Sequence, residues 1–365
     1  MSERELKLEE ALAAFEFGGA VRHAERFGEG HINDTFAVTV QDGSRWILQR
    51  LNTAIFKRPQ EVMENILGVT RHLRGKIEAR GGDPERETLN VLLTRGGGPL
   101  FTDSAGGVWR CYRFIEGTVC LQAARSGEDF CNAARTFGQF QQLLSDYPAA
   151  TLHETIPHFH DTPDRYRNFE AAVAADKMGR AAEVEREIAF VRARKEDCRV
   201  LADLLAAGKL PLRVTHNDTK LNNILIDAAT GKGLCVIDLD TVMPGLSAHD
   251  YGDSIRFGAS TAAEDEADLS KVHFSLPLFE AYTQGYLASA GEALTGLEKQ
   301  TLPWGAKLMT LECGMRFLTD YLEGDTYFKT HRPGQNLDRT RTQLRLVEEM
   351  EQNWDEMAQI VKKYS

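Results

Sequence analysis

The chain has 365 residues, more than one small core organises, so two lobes or domains are the default expectation. Its 54 acidic residues outnumber 43 basic ones, a formal net charge of −11, which argues against a general nucleic-acid or membrane surface and suits a neutral or cationic small-molecule partner. Six cysteines without C-x-x-C spacing, no apolar signal core near Met1 and no bilayer-length apolar run make a reduced, cytoplasmic protein without a zinc site the expectation.

Residues 1–115 read as a strand-rich lobe. Phe27-Gly-Glu-Gly-His-Ile-Asn-Asp-Thr-Phe36 enters the first clear strand. Gly28 and Gly30 would let backbone amides approach phosphate oxygens, and Asn33 stands where a third glycine would complete a phosphate-binding loop. Such a two-glycine turn is as often plain structure. His31 at the loop tip either caps the turn or meets substrate. Phe36–Val40 and Trp46–Leu51 flank Gln41-Asp-Gly-Ser44, a hairpin signal. Val62, Ile66, Val69, Leu73 and Ile77 recur at helical spacing. Asn90–Leu93 and Val108–Ile115 read as further strands. The second of these, with Tyr112, Phe114 and Ile115, ends at Gly117, either as a connector or as a hinge whose backbone meets a nucleotide base.

Residues 116–365 are mostly helical in pattern, with helices expected near 129–144, 165–178, 182–205, 275–288 and 303–323. Two apolar stretches interrupt them and carry the chemistry. Val214-Thr-His-Asn-Asp-Thr-Lys-Leu-Asn-Asn-Ile-Leu-Ile226 delivers Asp218, with Asn223 five positions on. Cys235-Val-Ile-Asp-Leu-Asp240 delivers Asp238 and Asp240. One carboxylate able to orient a hydroxyl, followed by an amide and a second carboxylate able to hold Mg2+ on nucleotide phosphates, suits phosphoryl transfer. A lone H-x-D would be a buried strand with chance acids; the linked pair of motifs makes that the minority reading.

The pattern resembles the H-x-D-x4-N and metal-aspartate arrangement of kinases, in the variant of the aminoglycoside phosphotransferases and choline kinases. A protein kinase is disfavoured, because Asn217 stands where those enzymes have Arg and no A-P-E follows Asp238. Gln49 occupies the place of the third-strand lysine that usually neutralises the phosphates, Arg50 faces the other way by strand alternation, and Glu64 is a weak candidate for the helix ion pair. Asp250 resembles the family's structural acid after the metal strand and is expected to cap a helix and brace the catalytic loop.

On the 303–323 helix, Glu312, Arg316 and Asp320 are spaced four apart among apolar neighbours. The stripe is either an ion-pair ladder on a solvated face or the lining of a cleft. Gly28-Glu-Gly-His-Ile-Asn33, Gly252-Asp-Ser-Ile-Arg-Phe-Gly-Ala-Ser-Thr261 and Glu312-Cys-Gly-Met-Arg-Phe-Leu-Thr-Asp-Tyr-Leu-Glu-Gly324, together with the motifs above, are similar to the N-acetylhexosamine 1-kinase family.

The resemblance implies an α+β, bilobal protein-kinase-like fold with an N-terminal antiparallel sheet lobe and a larger helical C-terminal lobe. It implies ATP- and Mg2+-dependent phosphorylation of the anomeric hydroxyl of N-acetylglucosamine or N-acetylgalactosamine. Carried onto this chain, Asp218 is the base and contacts the acceptor. Asn223 and Asp238 hold the metal. Gly28, Gly30, Asn33, Gln49, Tyr112, Phe114 and Ile115 serve the nucleotide, and His31, Arg316, Asp320 and Tyr321 serve the sugar. An aminoglycoside or amino-alcohol kinase is the rival enzyme. A nucleotide-binding pseudokinase scaffold is the rival of another class, motivated by Gln49 and opposed by the intact Asp218, Asn223 and Asp238.

Overall fold

A computed structural model of the chain describes residues 3–28 and 32–365. The chain divides into two compact units. The first comprises residues 1–119, 150–157 and 225–243, and the second comprises 120–149, 158–224 and 244–365. Residues 150–157 and 225–243 thus return to the first unit after the chain has entered the second.

The first unit is built on an antiparallel sheet in the order Val21–Arg26, Asp34–Val40, Arg45–Arg50, Val108–Arg113, Val91–Leu92, with Phe101–Thr102 also on the Val108–Arg113 strand. The Gln41–Ser44 hairpin forms as its residues dictate. Gly43 takes φ +89°, and the Asp42 carboxylate accepts from the Ser44 amide at 2.9 Å and its hydroxyl at 2.7 Å. Alternation along the strands sends Val38, Val40, Leu48, Trp109 and Cys111 into a core closed by Phe15 and Phe17. The Pro59–Ala79 helix buries its predicted stripe, and Asn65 donates to the carbonyls of His153 and Val242 at 2.8 and 2.9 Å. A second small sheet joins Gly233–Val236, Ile224–Asp227 and Thr118–Val119.

The second unit is helical. The expected helices near 129–144, 165–178, 275–288 and 303–323 are present as Gly127–Leu143, Thr162–Ala175, Leu276–Ala290 and Leu302–Glu323. The expected 182–205 helix is not continuous. It breaks into Glu185–Arg192 and Val200–Ala206 with 3-10 turns before and between them. The polar run Arg192-Ala-Arg-Lys-Glu-Asp197 offers no large apolar residue to anchor the intervening turns.

Helix Ser247–Gly258 crosses Leu302–Glu323 at very close range. A Cβ on Gly252 would lie 2.1 Å from the Gly305 carbonyl oxygen, and one on Gly305 would lie 2.1 Å from that of Ala248. Two glycines therefore set this crossing, and with it the position of the acids that Ser247–Gly258 carries. No described helix is long and apolar enough to cross a membrane.

Candidate active site

The H-x-D stretch is not one strand. Arg213–Thr215 is a short strand, a loop carries Asp218, Leu221–Asn223 makes a 3-10 turn, and Ile224–Asp227 is a second strand. Asn217 sits in the left-handed region at φ +65°, a conformation asparagine tolerates better than most residues. It turns the chain sharply just before Asp218.

Buried acids hold this loop in place. The Asp250 carboxylate accepts from the amides of His216 (2.9 Å) and Asn217 (2.8 Å) and from the Gln141 side chain (2.8 Å). Burial pushes its pKa up, against the pull of His216 and these donors. The Asp253 carboxylate accepts from the Thr219 amide at 2.9 Å, while the Thr219 hydroxyl donates to the Asp250 carbonyl at 2.6 Å. Asp250 therefore braces the catalytic loop as expected but does not cap its helix. The N-cap position is Leu246, and Asp250 lies in the first turn. Arg256 is buried and paired with Asp253 and Glu264, so it is structural.

Asp218 meets two partners. The Asn223 amide nitrogen donates to the Asp218 carbonyl at 2.8 Å and to its carboxylate at 3.1 Å. This turns the Asn223 oxygen away from Asp218. Lys220, absent from the predicted site, lies with Nζ 2.7 Å from Asp218 Oδ1. Burial works against its charge, but Asp218 outweighs it and raises the Lys220 pKa. The D-x-K spacing was the sequence signal for it.

The other half of the motif belongs to the first unit. Asp238 follows the Gly233–Val236 strand with φ +59°. Asp240 is only 4 % exposed and forms an ion pair with Arg110, which is 1 % exposed. Asn33 donates to the Asp240 carboxylate at 2.8 Å and accepts from the Asn52 amide at 3.0 Å.

Gln49 sits directly opposite Arg110 in the sheet and accepts from its Nε at 3.0 Å and Nη2 at 2.8 Å, while donating to the Thr35 hydroxyl at 3.1 Å. Gln49 thus anchors a buried arginine on the neighbouring strand, and that arginine is committed to Asp240. Burial works against the Arg110 charge, but Asp240 and neighbouring groups outweigh it and hold the guanidinium protonated. Strand register was the signal for Arg110, and it is not readable from one strand alone. Glu64 pairs with His153 at 2.7 Å and does not serve a strand cation.

The remaining expected nucleotide and acceptor residues fare unequally. Gly28 has φ +75°, whereas Gly30 and His31 lie outside the described residues. Tyr112 is buried, and the Arg110 guanidinium stands over its ring at 5.1 Å. The Phe114 amide is used by the Arg45 carbonyl at 3.1 Å, and the Ile115 carbonyl accepts from the Thr118 hydroxyl at 2.8 Å. Those two groups are therefore already partnered within the protein.

The Glu312, Arg316, Asp320 stripe is neither a ladder nor a uniform lining. Glu312 is buried and accepts from the Thr162 hydroxyl at 2.7 Å and from His160 at 2.9 Å. Asp320 is 2 % exposed, and its carboxylate accepts from the amides of Thr326, Tyr327 and Phe328 at 2.8, 2.8 and 2.9 Å and from Asn336 at 2.8 Å. It is an organiser of the 324–328 loop, with its acceptor capacity already committed. Tyr321 is buried, donates to Glu183 at 3.2 Å and stacks with Arg180 at 4.6 Å, which removes it from an acceptor surface.

Arg316 is different. It lies beside Phe159, Tyr327 and Phe328, with Arg165 close by. Among the described residues neither guanidinium is in a salt bridge, and Arg165 Nε is buried without a hydrogen-bond partner. Burial and the Arg316 charge lower the Arg165 pKa.

Among the described residues there is no group of three or more His, Cys, Asp and Glu side chains able to hold a metal by themselves. Mg2+ shared with nucleotide phosphates needs fewer protein donors than that, and amide and carboxylate oxygens are of the type it takes.

The structure of an aminoglycoside phosphotransferase from Alicyclobacillus acidocaldarius is similar, at TM-score 0.62 and 14 % identity, covering 97 % of this chain and 96 % of that one. So are the amicoumacin kinase hAmiN, in complex with AMP-PNP, Ca2+ and Ami, at 0.62 and 16 %, covering 97 % and 94 %, and a microcompartment-associated aminopropanol kinase, at 0.62 and 15 %, covering 96 % and 98 %. These likenesses establish the protein-kinase-like α+β fold. Residues 23–291 match the model of the APH phosphotransferase enzyme family, and the chain belongs to that family.

Proposed function

We propose that the chain transfers the γ-phosphoryl group of ATP to the anomeric hydroxyl of an N-acetylhexosamine, giving the sugar 1-phosphate. The acceptor oxygen forms the new bond to the γ-phosphorus, the bond from that phosphorus to the β–γ bridging oxygen breaks, and ADP leaves. Asp218 takes or orients the hydroxyl proton. Lys220 steadies the Asp218 carboxylate and adds positive charge beside it. Asn223 and Asp238 would hold Mg2+, which supplies charge neutralisation on the phosphates. Arg110, with Gln49 and Asn33, fixes Asp240 near Asp238 in sequence, an indirect support for the metal aspartate.

The observation that carries the choice of acceptor is the Arg165–Arg316 pair around Phe159. Two guanidiniums without salt bridges favour carbonyl and hydroxyl oxygens and disfavour an ammonium group. A second reading is an aminoglycoside or amino-alcohol kinase. The acceptors named for the amicoumacin and aminopropanol kinases support it more directly than they support a sugar.

Nucleotide consumption against a panel of N-acetylhexosamines, aminoglycosides and amino alcohols separates the two, with the product identified by phosphorus NMR. A sugar 1-phosphate is expected. Turnover confined to amine-bearing acceptors would transfer the assignment to the second reading. Activity should be lost with chelator and return with Mg2+.

A further inference from the structure

We infer that His160 is a positioning residue for the phosphoryl-transfer step, acting on the peptide that carries Asp218. The inference rests on the phosphotransferase reading for its kinetic consequence, and on geometry alone for the contact itself.

The Asn217–Asp218 peptide is held at both polar ends by histidines. Its N–H points at His216 Nδ1 at 3.3 Å, and its carbonyl faces His160 Nε2 at 3.4 Å. His216 is fully buried, edge-on to Phe137 and Phe140, and so cannot swing. His160 is fixed from its other side, because Nδ1 meets the Glu312 carboxylate at 2.9 Å while the Thr162 hydroxyl holds the second Glu312 oxygen.

Both ring nitrogens of His160 therefore face acceptors, a carboxylate and a carbonyl. The ring thus bridges Glu312 and the Asn217 carbonyl, and the role requires an N–H at Nε2, the nitrogen that faces that carbonyl. Burial works against the Glu312 charge, but His160 and the other donors outweigh it and hold the carboxylate in its charged form. His249 stacks near His160 with ring centroids 5.3 Å apart and is kept neutral by burial and by that neighbour.

The arrangement has a purpose the loop needs. Asn217 is in the left-handed region, a conformation that persists only where its surroundings hold it. Rotation of that peptide would swing the Asp218 backbone and carboxylate together. A donor anchored on the carbonyl opposes the rotation without touching substrate or metal. The sequence reading gave His160 no role.

The test compares His160→Phe, His160→Gln and Glu312→Gln with the wild-type chain, recording kcat, KM for nucleotide and acceptor, and the melting midpoint. His160→Phe should lower kcat by roughly ten- to hundredfold, the scale of a misplaced catalytic group, with nucleotide KM little changed. His160→Gln retains an N–H donor and should recover much of that loss. Glu312→Gln should fall between them. Wild-type kcat in His160→Phe, or equal losses in Phe and Gln variants that follow the melting midpoint, would overturn the inference. Should His160→Phe not fold, wild-type kcat in Glu312→Gln overturns it and a selective fall in kcat supports it.

The imidazole nitrogen NMR spectrum of the full chain gives a readout independent of activity. An N–H at His160 Nε2 is expected, and a bare Nε2 would refute the role. If the wild-type chain transfers no phosphate to any acceptor, the functional reading fails while this spectrum still decides the state of His160.

Discussion

Arg110 shows how one buried residue depends on its partners. Gln49, standing where the kinase-like pattern has a lysine, anchors Arg110 of the adjacent strand, which pairs with Asp240. Removing one partner of such a pair strands a buried charge. Arg110→Met should destabilise the chain by about 3–5 kcal/mol, and the double variant Arg110→Met with Asp240→Asn should recover a substantial part. Denaturant midpoints of the two variants check this; equal stability would mean that Asp240 does not depend on Arg110. The motif residues Asp218, Asn223 and Asp238 stood out in the sequence because their spacing is local. Arg110 and Lys220 were not assigned, the first because its partner is cross-strand and the second because the expected cation was sought elsewhere.

At the scale of elements, the Leu302–Glu323 helix was legible as a helix but only partly as a surface. Periodicity gave the correct stripe, but partners on other segments divide its roles. Glu312 faces the His160 segment, Asp320 ties down the 324–328 loop, and Arg316 stands with Phe159 and Arg165.

Two substitutions four residues apart should therefore behave differently. Arg316→Ala should raise the acceptor KM roughly ten- to hundredfold through loss of hydrogen bonds worth about 1–3 kcal/mol, leaving nucleotide KM and melting nearly unchanged. Asp320→Ala leaves three loop amides without their acceptor and should lower the melting midpoint, with a stability cost of about 2–4 kcal/mol. Similar melting losses in both would mean that Arg316 is structural as well. The Ser247–Gly258 crossing makes a third case. Gly305→Ala places a methyl against the Ala248 carbonyl and should cost about 1–3 kcal/mol or more, read by denaturant midpoint.

Across the whole molecule, the sheet-then-helix order was legible from period alone, whereas the return of residues 150–157 and 225–243 to the first unit was not, since no local property of those segments marks the crossing. The pH dependence of stability is likewise a property of burial. Burial, with His160 nearby, lowers the His249 pKa to about 3, below its ordinary value of 6.5. The unfolded chain therefore binds the proton more readily than the folded one. This contribution is fully present above pH 6.5 and is lost as pH falls toward 3, at up to about 1.4 kcal/mol per pH unit. His249→Gln should flatten that part of the acid limb, and an unchanged pH–stability curve would assign the acid sensitivity to other groups.

The central claim is that this family member performs phosphoryl transfer with Asp218 as its base. The most direct measurement is steady-state turnover of purified Asp218→Asn beside the wild-type chain, with nucleotide affinity measured separately on both. A fall in kcat of roughly 10²-fold or more at near-constant nucleotide affinity is predicted, the scale of general-base loss. Undiminished turnover in Asp218→Asn would contradict it.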